Sequence, residues 1–288
     1  MRWQGVMPAI TTPFRHDLSV DQEFLERHAA WLVEHGSSGI VALGSLGEGA
    51  TLELDEKIAI LETCVRATPA PVVAAVSALS TAGAVRIARE AEACGCKGLM
   101  ILPPYVYVSD WREMKAHLVA VLRATQLSCM LYNNPIAYRT DFLPEHVAEL
   151  ASEEENLHAV KESSGDVRRI TAIGALSQLA VFVGLDDLIV EGIEAGAVGW
   201  IAGLANALPV ESVALFDRAT RGEKDDALYR WFLPLLRLDT LPKFVQLIKL
   251  VQAEVGMGST RVRPPRLELD NDAELRMIRQ VLSHRPKL

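Results

Sequence analysis

Short apolar runs alternate with amphipathic helical stretches from residue 6 to residue 202 of this 288-residue chain. The runs are apolar at successive positions, which is typical of strands buried on both faces of a parallel sheet. Strand, helix and strand repeated in this order indicate an α/β domain. The predicted strands cover residues 6–11, 39–43, 71–76, 98–102, 128–132, 158–161, 180–183 and 199–202, and the helices between them cover residues 21–34, 53–66, 81–93, 111–124, 145–151 and 168–176.

One short loop closes a helix and opens a strand at three places. Its first glycine suits the left-handed backbone just past a helix end, and its second suits a tight entry into a strand. Three copies imply repeated units, and eight predicted strands favour a closed (β/α)8 TIM barrel over an open doubly wound sheet. The loops are Gly36-Ser37-Ser38-Gly39, Gly95-Cys96-Lys97-Gly98 and Gly196-Ala197-Val198-Gly199.

Helical periodicity alone remains after Pro209, and no low-complexity linker precedes it. We therefore expect a barrel over residues 1–222 and a C-terminal helical domain over residues 223–288 that packs on the barrel. The basic cluster at residues 261–266 is interpreted as a proline-stiffened surface loop that balances nearby acids. The helices predicted here cover residues 210–220, 225–236, 243–255 and 273–283.

Composition excludes several classes of partner. The net charge is −8 and the pI is about 5.5, which argues against nucleic acid or an anionic membrane, since both attract a basic face. Four cysteines in so long a chain do not form a disulfide framework, and we expect three of them to be buried as small apolar side chains. Without a signal-peptide pattern or a ~20-residue apolar span, the chain is predicted to be cytoplasmic.

Active sites of TIM barrels lie at the carboxyl-terminal ends of the strands. This rule reduces the search to the residues that follow each predicted strand. Three such segments carry polar side chains: Gly44-Ser45-Leu46-Gly47-Glu48 after the second strand, Tyr132-Asn133-Asn134-Pro135 after the fifth, and Lys161-Glu162-Ser163-Ser164 after the sixth.

Lys161 ends an apolar run, where another apolar side chain or a turn is expected. A buried ammonium is costly, so this lysine is either paired or deprotonated. One interpretation is an internal ion pair with Glu162, Glu191 or Asp186. The other is a nucleophilic amine whose pKa is lowered by its apolar setting and which attacks a carbonyl to form a Schiff base.

Tyr132 and Ser45 are interpreted in two ways each. Tyr132 alone is typical of a core aromatic residue, but beside a Schiff-base lysine it is a candidate proton carrier. Ser45 lies between two glycines, and the hydroxyl and free backbone N–H groups suit a carboxylate. The spacing from Ser45 to Glu48 also matches a helix capping box, in which Glu48 only caps.

The remaining polar patterns favour structural roles. No phosphate loop, zinc-binding helix or nucleophile elbow appears, and Cys94-Gly95-Cys96 lacks a second pair of metal ligands, so neither a metal nor a cofactor is predicted. Asp186 and Asp187 resemble helix caps. His28 and His35 are expected to lie at the surface or to have hydrogen-bond partners inside the protein. Solvent exposure is expected for the lysines in helical patterns, which are Lys57, Lys115, Lys224, Lys243 and Lys249.

Four segments together resemble the dihydrodipicolinate synthase / N-acetylneuraminate lyase family, in family order and spacing across essentially the whole chain. The resemblance implies a barrel with a C-terminal helical domain, a homotetramer arranged as a dimer of dimers, and no metal or organic cofactor. The substrate it implies is a small 2-oxo acid or a cyclic imino acid. The segments are Gly5-Val6-Met7-Pro8-Ala9-Ile10-Thr11-Thr12-Pro13-Phe14 and the three strand-end segments above.

The same resemblance implies a role for each site residue. Lys161 would form the Schiff base, Tyr132 would donate and accept the proton, and Ser45 would belong to its hydroxyl relay. Gly44, Leu46 and Gly47 belong to the loop that would hold the carboxylate, while Gly184 and Ile201 would line the pocket through backbone atoms.

The chain departs from the family's synthases at three places. Leu46 replaces a threonine of the carboxylate loop, and Ala137 replaces the arginine that follows the Tyr-Asn-x-Pro motif. The tyrosine pair after the fourth strand, one member of which crosses to a neighbouring subunit, becomes Tyr105-Val106-Tyr107. Condensation of pyruvate with aspartate semialdehyde needs a cation for the second carboxylate, so the synthase reaction is not the first choice. Whether Tyr107, Tyr138 or Arg139 reaches the pocket is left open.

Two further stretches are similar to a branch of the family associated with hydroxyproline breakdown, and the favoured reaction is deamination of 1-pyrroline-4-hydroxy-2-carboxylate to 2-oxoglutarate semialdehyde. The alternatives are 4-hydroxy-tetrahydrodipicolinate synthase, an aldolase or dehydratase for N-acetylneuraminate or 2-keto-3-deoxy sugar acids, a phosphosugar enzyme and a non-catalytic sensor. The loops after the seventh and eighth strands lack a cation, which disfavours phosphate. The stretches are residues 102–107 with 111–114, and residues 256–261.

Overall fold

Eight parallel strands form one sheet in the computed structural model, which describes residues 1–105, 107–223, 226–270 and 272–288. The sheet order is β1-β8-β7-β6-β5-β4-β3-β2, so sequential strands are neighbours. Each lies within three residues of a predicted run at either end, because a strand buried on both faces is apolar along its whole length. The strands are β1 Gly5–Pro8, β2 Ile40–Ala42, β3 Val72–Val76, β4 Gly98–Ile101, β5 Ser128–Asn133, β6 Leu157–Glu162, β7 Ala180–Val183 and β8 Gly199–Ala202.

The sheet closes on itself between its first and second strands. Ala9 forms a parallel bridge with Val41, and the Ile10 N–H donates to the Val41 carbonyl at 2.9 Å. With helices surrounding the strands, this closure confirms the predicted (β/α)8 barrel.

The helices agree with the sequence patterns over most of the chain. Asp21, Ser80 and Asp110 accept hydrogen bonds from backbone N–H groups and so cap the first, third and fourth helices. Neither α5 nor α8, with four and six residues, was given predicted bounds, because so short a run does not show a helical period. The helices are α1 Gln22–Glu34, α2 Leu54–Ala67, α3 Thr81–Ala93, α4 Trp111–Leu122, α5 Pro135–Tyr138, α6 Pro144–Glu153, α7 Arg168–Leu176, α8 Ile189–Glu194, α9 Pro209–Thr220, α10 Asp226–Leu236, α11 Phe244–Glu254 and α12 Asp272–Leu282.

The repeated helix-to-strand loops have the predicted conformation. Gly36, Gly95 and Gly196 have φ values of 97°, 90° and 108°, which is the left-handed region that a side chain disfavours. The cysteines agree as well, since Cys64, Cys96 and Cys129 are buried and Cys94 is partly exposed. Burial raises the pKa of each of the three buried thiols to about 12, which makes them unreactive.

The division at residues 222 and 223 remains a prediction. It falls between α9 and α10, beside Lys224 and Asp225. Both residues lie outside the described part of the chain, so the predicted solvation of Lys224 also remains a prediction. Contacts of α11 with the turn after β8 place the last helices against the barrel. No helix among the described residues is long and apolar enough to cross a membrane.

Glu48 and Lys249 form a buried ion pair, and both sequence predictions for them were wrong. Lys249 Nζ lies 2.6 Å from Glu48 Oε1 and also donates to the carbonyls of Thr12 and Arg261. Glu48 and Lys249 are 0% and 2% exposed, so Glu48 does not cap a helix and Lys249 is not solvated. The pair ties the loop after β2 to α11.

Removing one member of this pair is expected to destabilise the fold strongly. Lys249→Met leaves the Glu48 carboxylate buried with fewer partners, and breaking such a pair costs about 3–5 kcal/mol. Chemical denaturation measures the free energy of unfolding. Arg27→Met is the control, because the Arg27–Glu23 pair is exposed and such pairs contribute about 1 kcal/mol or less. Equal effects of the two substitutions would contradict the assignment.

The basic cluster at residues 261–266 is more buried than a surface loop. The Arg263 guanidinium donates to both oxygens of Glu56 and lies 4.6 Å from the centre of the Phe14 ring. It is 16% exposed. The cluster does balance nearby acids, as predicted, but it does so as a strap against the barrel.

Two other structural assignments are refined. Asp186 accepts from the N–H groups of Gly203 and Leu204, so it caps the one-turn helix after β8 and not the helix that follows it in sequence. His28 is buried with Nε2 at 2.9 Å from the Asn206 carbonyl, while its Nδ1 has no partner. Burial lowers the pKa of His28 to about 4, so this ring is neutral.

Candidate active site

A cavity of about 500 Å³ opens at the carboxyl-terminal ends of the strands. Each of the eight strands, or the loop that follows it, contributes residues to the cavity wall, as the barrel geometry predicts. Its lining residues include Ala9, Gly44, Ser45, Leu46, Ser77, Leu102, Tyr105, Tyr132, Asn134, Ile136, Ala137, Tyr138, Lys161, Gly184, Ile201, Gly203, Asp239 and Arg266.

Lys161 lies on β6 directly opposite Tyr132 on β5. It is 7% exposed, and its Nζ lies 4.1 Å from the centre of the Tyr132 ring. Burial lowers the pKa of Lys161, while the charge of Asp239 raises it by a smaller amount. An amine in this setting is deprotonated more readily than a free lysine, as Schiff-base formation requires.

The ion-pair interpretation of Lys161 finds little support. Glu162 accepts from Asn133 Nδ2 and the Ser164 N–H, and Glu191 accepts from the Tyr229 hydroxyl. Within the described part of the chain, no carboxylate lies within ion-pair distance of Lys161. Its ammonium form is therefore weakly compensated.

Tyr132 presents its hydroxyl at the cavity wall. It is 4% exposed, and its hydroxyl accepts from Asn134 Nδ2 at 2.9 Å. Burial raises the pKa of Tyr132 to about 12, so the phenol keeps its proton near neutral pH. A protonated hydroxyl next to the lysine can donate a proton to a carbinolamine.

Ser45 and Tyr138 extend this group of hydroxyls. The Ser45 hydroxyl is hydrogen-bonded to the Tyr138 hydroxyl, and the Tyr138 ring packs edge-to-face on Tyr132 with 5.9 Å between centroids. Burial raises the pKa of Tyr138 above its ordinary value. The three residues line the cavity together, and the proton relay through their hydroxyls remains a prediction.

Only some residues of the glycine loop after β2 line the cavity. Gly44 and Leu46 line it, whereas Gly47 is not among the lining residues. The Gly47 carbonyl accepts from the Thr12 hydroxyl at 2.6 Å, and a side chain at Gly47 would meet the Ile10 carbonyl. The structure thus gives Gly47 a packing role, and the binding role of this loop remains a prediction.

Gly184 and Ile201 line the cavity on the side of β7 and β8. A Cβ atom at Gly184 would lie 1.9 Å from Ser163 Oγ and 2.7 Å from Lys161 Cε. Glycine at this position therefore makes room for the Lys161 side chain.

Gly184→Ala is expected to displace Lys161 and slow reaction at its amine by about 10²-fold, the typical cost of a 1 Å misplacement. Gly174→Ala is the control, because Gly174 has nothing within 4 Å of its missing side chain. The rate of trapping with pyruvate and borohydride measures the effect. A normal rate in Gly184→Ala would show that Lys161 does not need this space.

The position of Lys161 also predicts a pH dependence. Because burial lowers its pKa from 10.5, the neutral amine becomes the major form at a pH below 10.5. The rate of adduct formation with pyruvate should rise with pH and level off before pH 10.5. Initial rates of borohydride-trapped adduct across pH test this, and a rise that continues past this value would contradict it.

Two charged residues that line the cavity were not predicted as site residues from the sequence. Asp239 follows α10 in a one-turn helix, and Arg266 lies in the strap at residues 261–266. Arg266 Nη1 is 3.8 Å from Glu48 Oε2. Neither residue follows a strand, so the strand-end rule gives no signal for them.

One of the three residues whose approach to the pocket was left open by the sequence does reach it. Tyr138 lines the cavity, whereas Tyr107 and Arg139 are not among its lining residues. No group of three or more His, Cys, Asp or Glu that could hold a metal ion occurs in the described ranges.

Fold and cavity define a (β/α)8 barrel protein with its candidate site at the carboxyl ends of the strands. A model of the Dihydrodipicolinate synthetase family matches residues 2–284. The chain therefore belongs to this family, whose members are lyases of the aldolase type that form Schiff bases.

Relatives and solved structures agree with this membership. The chain is 32% identical over 281 residues to the 4-hydroxy-tetrahydrodipicolinate synthase of Methanothrix thermoacetophila, with 95% of each chain covered. It is 33% identical over 271 residues to the synthase of the same name from Moorella thermoacetica, with 92% of each covered. The structure of a putative dihydrodipicolinate synthetase from Pseudomonas aeruginosa matches with a TM-score of 0.93 and 30% identity, covering 98% of this chain and 99% of the other.

Proposed function

We propose that Lys161 forms a Schiff base with a small 2-oxo acid or its cyclic imine, and that Tyr132 carries the proton at the same carbon. The observation that supports this most is the buried, weakly compensated lysine that opens into the cavity beside a protonated phenol. Attack by the neutral amine on the keto or imino carbon gives a carbinolamine. Its collapse to the iminium needs a proton on the leaving oxygen or nitrogen, and the Tyr132 hydroxyl supplies it.

The substrate carboxylate is proposed to lie against the glycine loop. Gly44 and Ser45 line the cavity there and offer backbone N–H groups and a hydroxyl. Leu46 adds an apolar side chain in place of a second hydroxyl, which favours a substrate with few polar groups on this side. Gly184 and Ile201 then enclose the reacting carbon from the opposite wall.

Deamination of 1-pyrroline-4-hydroxy-2-carboxylate is our first candidate for the particular reaction. It is favoured by Ala137, which lines the cavity where the synthase reaction needs a cation. A cyclic imine carries one carboxylate only, so it requires no second cation. Lys161 would add to the carbon that bears the ring imine, and the ring nitrogen would leave as an amine.

The second candidate is 4-hydroxy-tetrahydrodipicolinate synthesis from pyruvate and aspartate semialdehyde. The printed names of the relatives favour it. Arg266 also favours it, because this guanidinium lines the cavity and a guanidinium binds carboxylates well. The comparisons support this reaction more than the first candidate, whereas the residue at position 137 supports the first.

Product analysis separates the two candidates. The native protein is given 1-pyrroline-4-hydroxy-2-carboxylate in one reaction and pyruvate with aspartate semialdehyde in another. Ammonia release in the first supports the deaminase, and a cyclic condensation product in the second supports the synthase. Arg266→Ala should raise KM for aspartate semialdehyde only if the synthase reaction is the correct one, with Arg112→Ala on the exposed side of α4 as the control.

The oligomeric state and the cellular location of the protein are also proposed. We infer a cytoplasmic homotetramer, as the family resemblance predicts, and exposed apolar side chains in the segments after β3, β4 and β5 are consistent with a contact between copies. Analytical ultracentrifugation tests the tetramer, and a monomer at micromolar concentration would overturn it. These side chains are Leu79, Tyr107, Val108 and Ile136.

A further inference from the structure

One carboxyl group faces the cavity and has no role in the chemistry described so far. Of the described residues that line the cavity, Asp239 is the only acidic one. It lies in the one-turn helix Arg237–Thr240, so it approaches from the C-terminal helices, whereas Lys161 approaches from the barrel.

Asp239 lies beside a second, fully buried carboxyl group. The side chains of Asp239 and Asp186 both pack against Gly203. A Cβ atom added at position 203 would lie 3.0 Å from Asp239 Oδ1 and 3.1 Å from Asp186 Oδ2. The main-chain N–H of Asp186 donates to Asp239 Oδ2 at 3.4 Å. Glycine at position 203 therefore lets the two carboxyl groups approach each other.

The two carboxyl groups differ in their partners. Asp186 accepts from Trp200 Nε1 at 2.9 Å and from the N–H groups of Gly203 and Leu204. Within the described residues, Asp239 receives only the long hydrogen bond from the Asp186 N–H. Burial raises the pKa of both aspartates, and the charge of Asp239 raises that of Asp186 further, so the close pair holds one proton between them, and Asp239 is the member that can present it to the cavity.

The charges around Asp239 support the same assignment. Burial raises the pKa of Asp239, the charge of Lys161 offsets part of that rise and the charge of Asp187 adds slightly to it, which leaves the pKa at about 6. Tyr132, whose pKa the charge of Asp239 also raises, is a neutral phenol near pH 7. Asp239 therefore exchanges its proton within the range in which enzymes work.

The substrate restricts what Asp239 can contact. A 2-oxo acid is an anion, and an ionised Asp239 would repel its carboxylate, which is proposed to lie at the glycine loop. A carboxylic acid at the other wall can instead donate a hydrogen bond to a hydroxyl of the substrate. This donation assists a leaving hydroxyl most, because hydroxide leaves poorly without a proton.

We propose that Asp239 is the general acid that protonates the hydroxyl on C4 of a 4-hydroxy-2-oxo acid bound to Lys161, so that water leaves. Tyr132, a phenolate once it has protonated the leaving group of the carbinolamine, first takes a proton from C3 and so converts the iminium to the enamine. The nitrogen electron pair then forms C2=N, the C2=C3 pair becomes C3=C4, and the C4–O bond breaks as oxygen takes the Asp239 proton. The products are water and an unsaturated iminium on Lys161, and Asp239 regains its proton from solvent.

This inference rests on the proposed Schiff base at Lys161, so the experiment tests the two separately. Native protein, Asp239→Asn and Asp187→Asn are each given pyruvate with borohydride, 4-hydroxy-2-oxobutanoate and 4-chloro-2-oxobutanoate. The last two probes differ only in the leaving group, and chloride departs without a proton. Asp187 is the control, because it is next to Asp186 but does not line the cavity.

Asp239→Asn is expected to lower kcat for water loss by about 10²–10³-fold while chloride loss and pyruvate trapping change by less than about threefold. In the native protein, kcat for water loss should fall above about pH 6 as Asp239 ionises, and chloride loss should not share this decline. Asp187→Asn should behave like the native protein in every assay.

The other outcomes are each decisive. Equal losses for the hydroxyl and chloride probes in Asp239→Asn, or a loss of pyruvate trapping, would assign Asp239 a structural role and overturn the inference. The inference also fails if the native protein traps pyruvate but releases no water from the 4-hydroxy acid. Absence of trapping in the native protein would instead overturn the proposed Schiff base.

Discussion

Replacing Lys161 with alanine is expected to abolish both covalent trapping and turnover, with a loss in kcat of more than about 10⁴-fold. No other amine among the described residues lines the cavity, so no second nucleophile can take its place. Pyruvate trapping followed by intact mass measures the adduct, and steady-state kinetics with the true substrate measures turnover.

Lys97→Ala provides the control for Lys161→Ala, because Lys97 is exposed in the loop before β4. It should retain the native adduct and native kcat. Turnover by Lys161→Ala within tenfold of the native rate would overturn the assignment of Lys161. Circular dichroism of both variants separates lost chemistry from lost folding.

Removing the Tyr132 hydroxyl is expected to lower kcat by about 10²–10⁴-fold while trapping still occurs slowly. Tyr132→Phe keeps the ring over Lys161 Nζ but loses the hydroxyl that moves the proton. The amine can still attack the keto carbon, since attack itself needs no acid. The result should therefore be a large fall in turnover and a smaller fall in the rate of adduct formation.

Tyr229→Phe is the matched control for Tyr132→Phe. The Tyr229 hydroxyl donates to Glu191 and to the Asp187 carbonyl, and it does not line the cavity. Its removal should leave kcat unchanged. If Tyr132→Phe kept native turnover, the proton would come from another hydroxyl, for which Ser45 and Tyr138 are candidates on the same wall.

The barrel could be predicted from the sequence because its strands are buried on both faces. Val72–Val76 and Gly98–Ile101, for example, are buried at every position, so each strand is an uninterrupted apolar run between polar turns. The repeated glycine loops then indicated repeated units, and the eight predicted strands gave their number. The short helix α5 was not predicted, because a helical period can be recognised only over more than one turn.

The candidate site could be predicted where it follows strands. Lys161, Tyr132 and Ser45 all end or follow strands, and the structure brings all three to one cavity. Their catalytic roles stay predictions until the variants are measured. Asp239 and Arg266 arrive from helical and irregular segments, and their approach depends on tertiary packing that no local pattern encodes.

The wrong assignments at Glu48 and Lys249 have a common physical origin. A serine followed three residues later by a glutamate fits a capping box, yet the chain turns at Glu48 with φ 55° and sends the carboxylate inward. Lys249 is the one charge in the interior of α11, whose other charged residue, Glu254, is the last of the helix, and most of its remaining residues are apolar. This lone charge was the signal that Lys249 is buried, since helices with one solvated face show more polar residues.

The most direct test of the account is to trap the native protein with pyruvate and borohydride and to map the modified peptide. We expect one adduct per chain, located on Lys161, because no other amine among the described residues lines the cavity. No adduct at all, or a stable adduct on another lysine with Lys161 unmodified, would contradict the claim that Lys161 is the nucleophile.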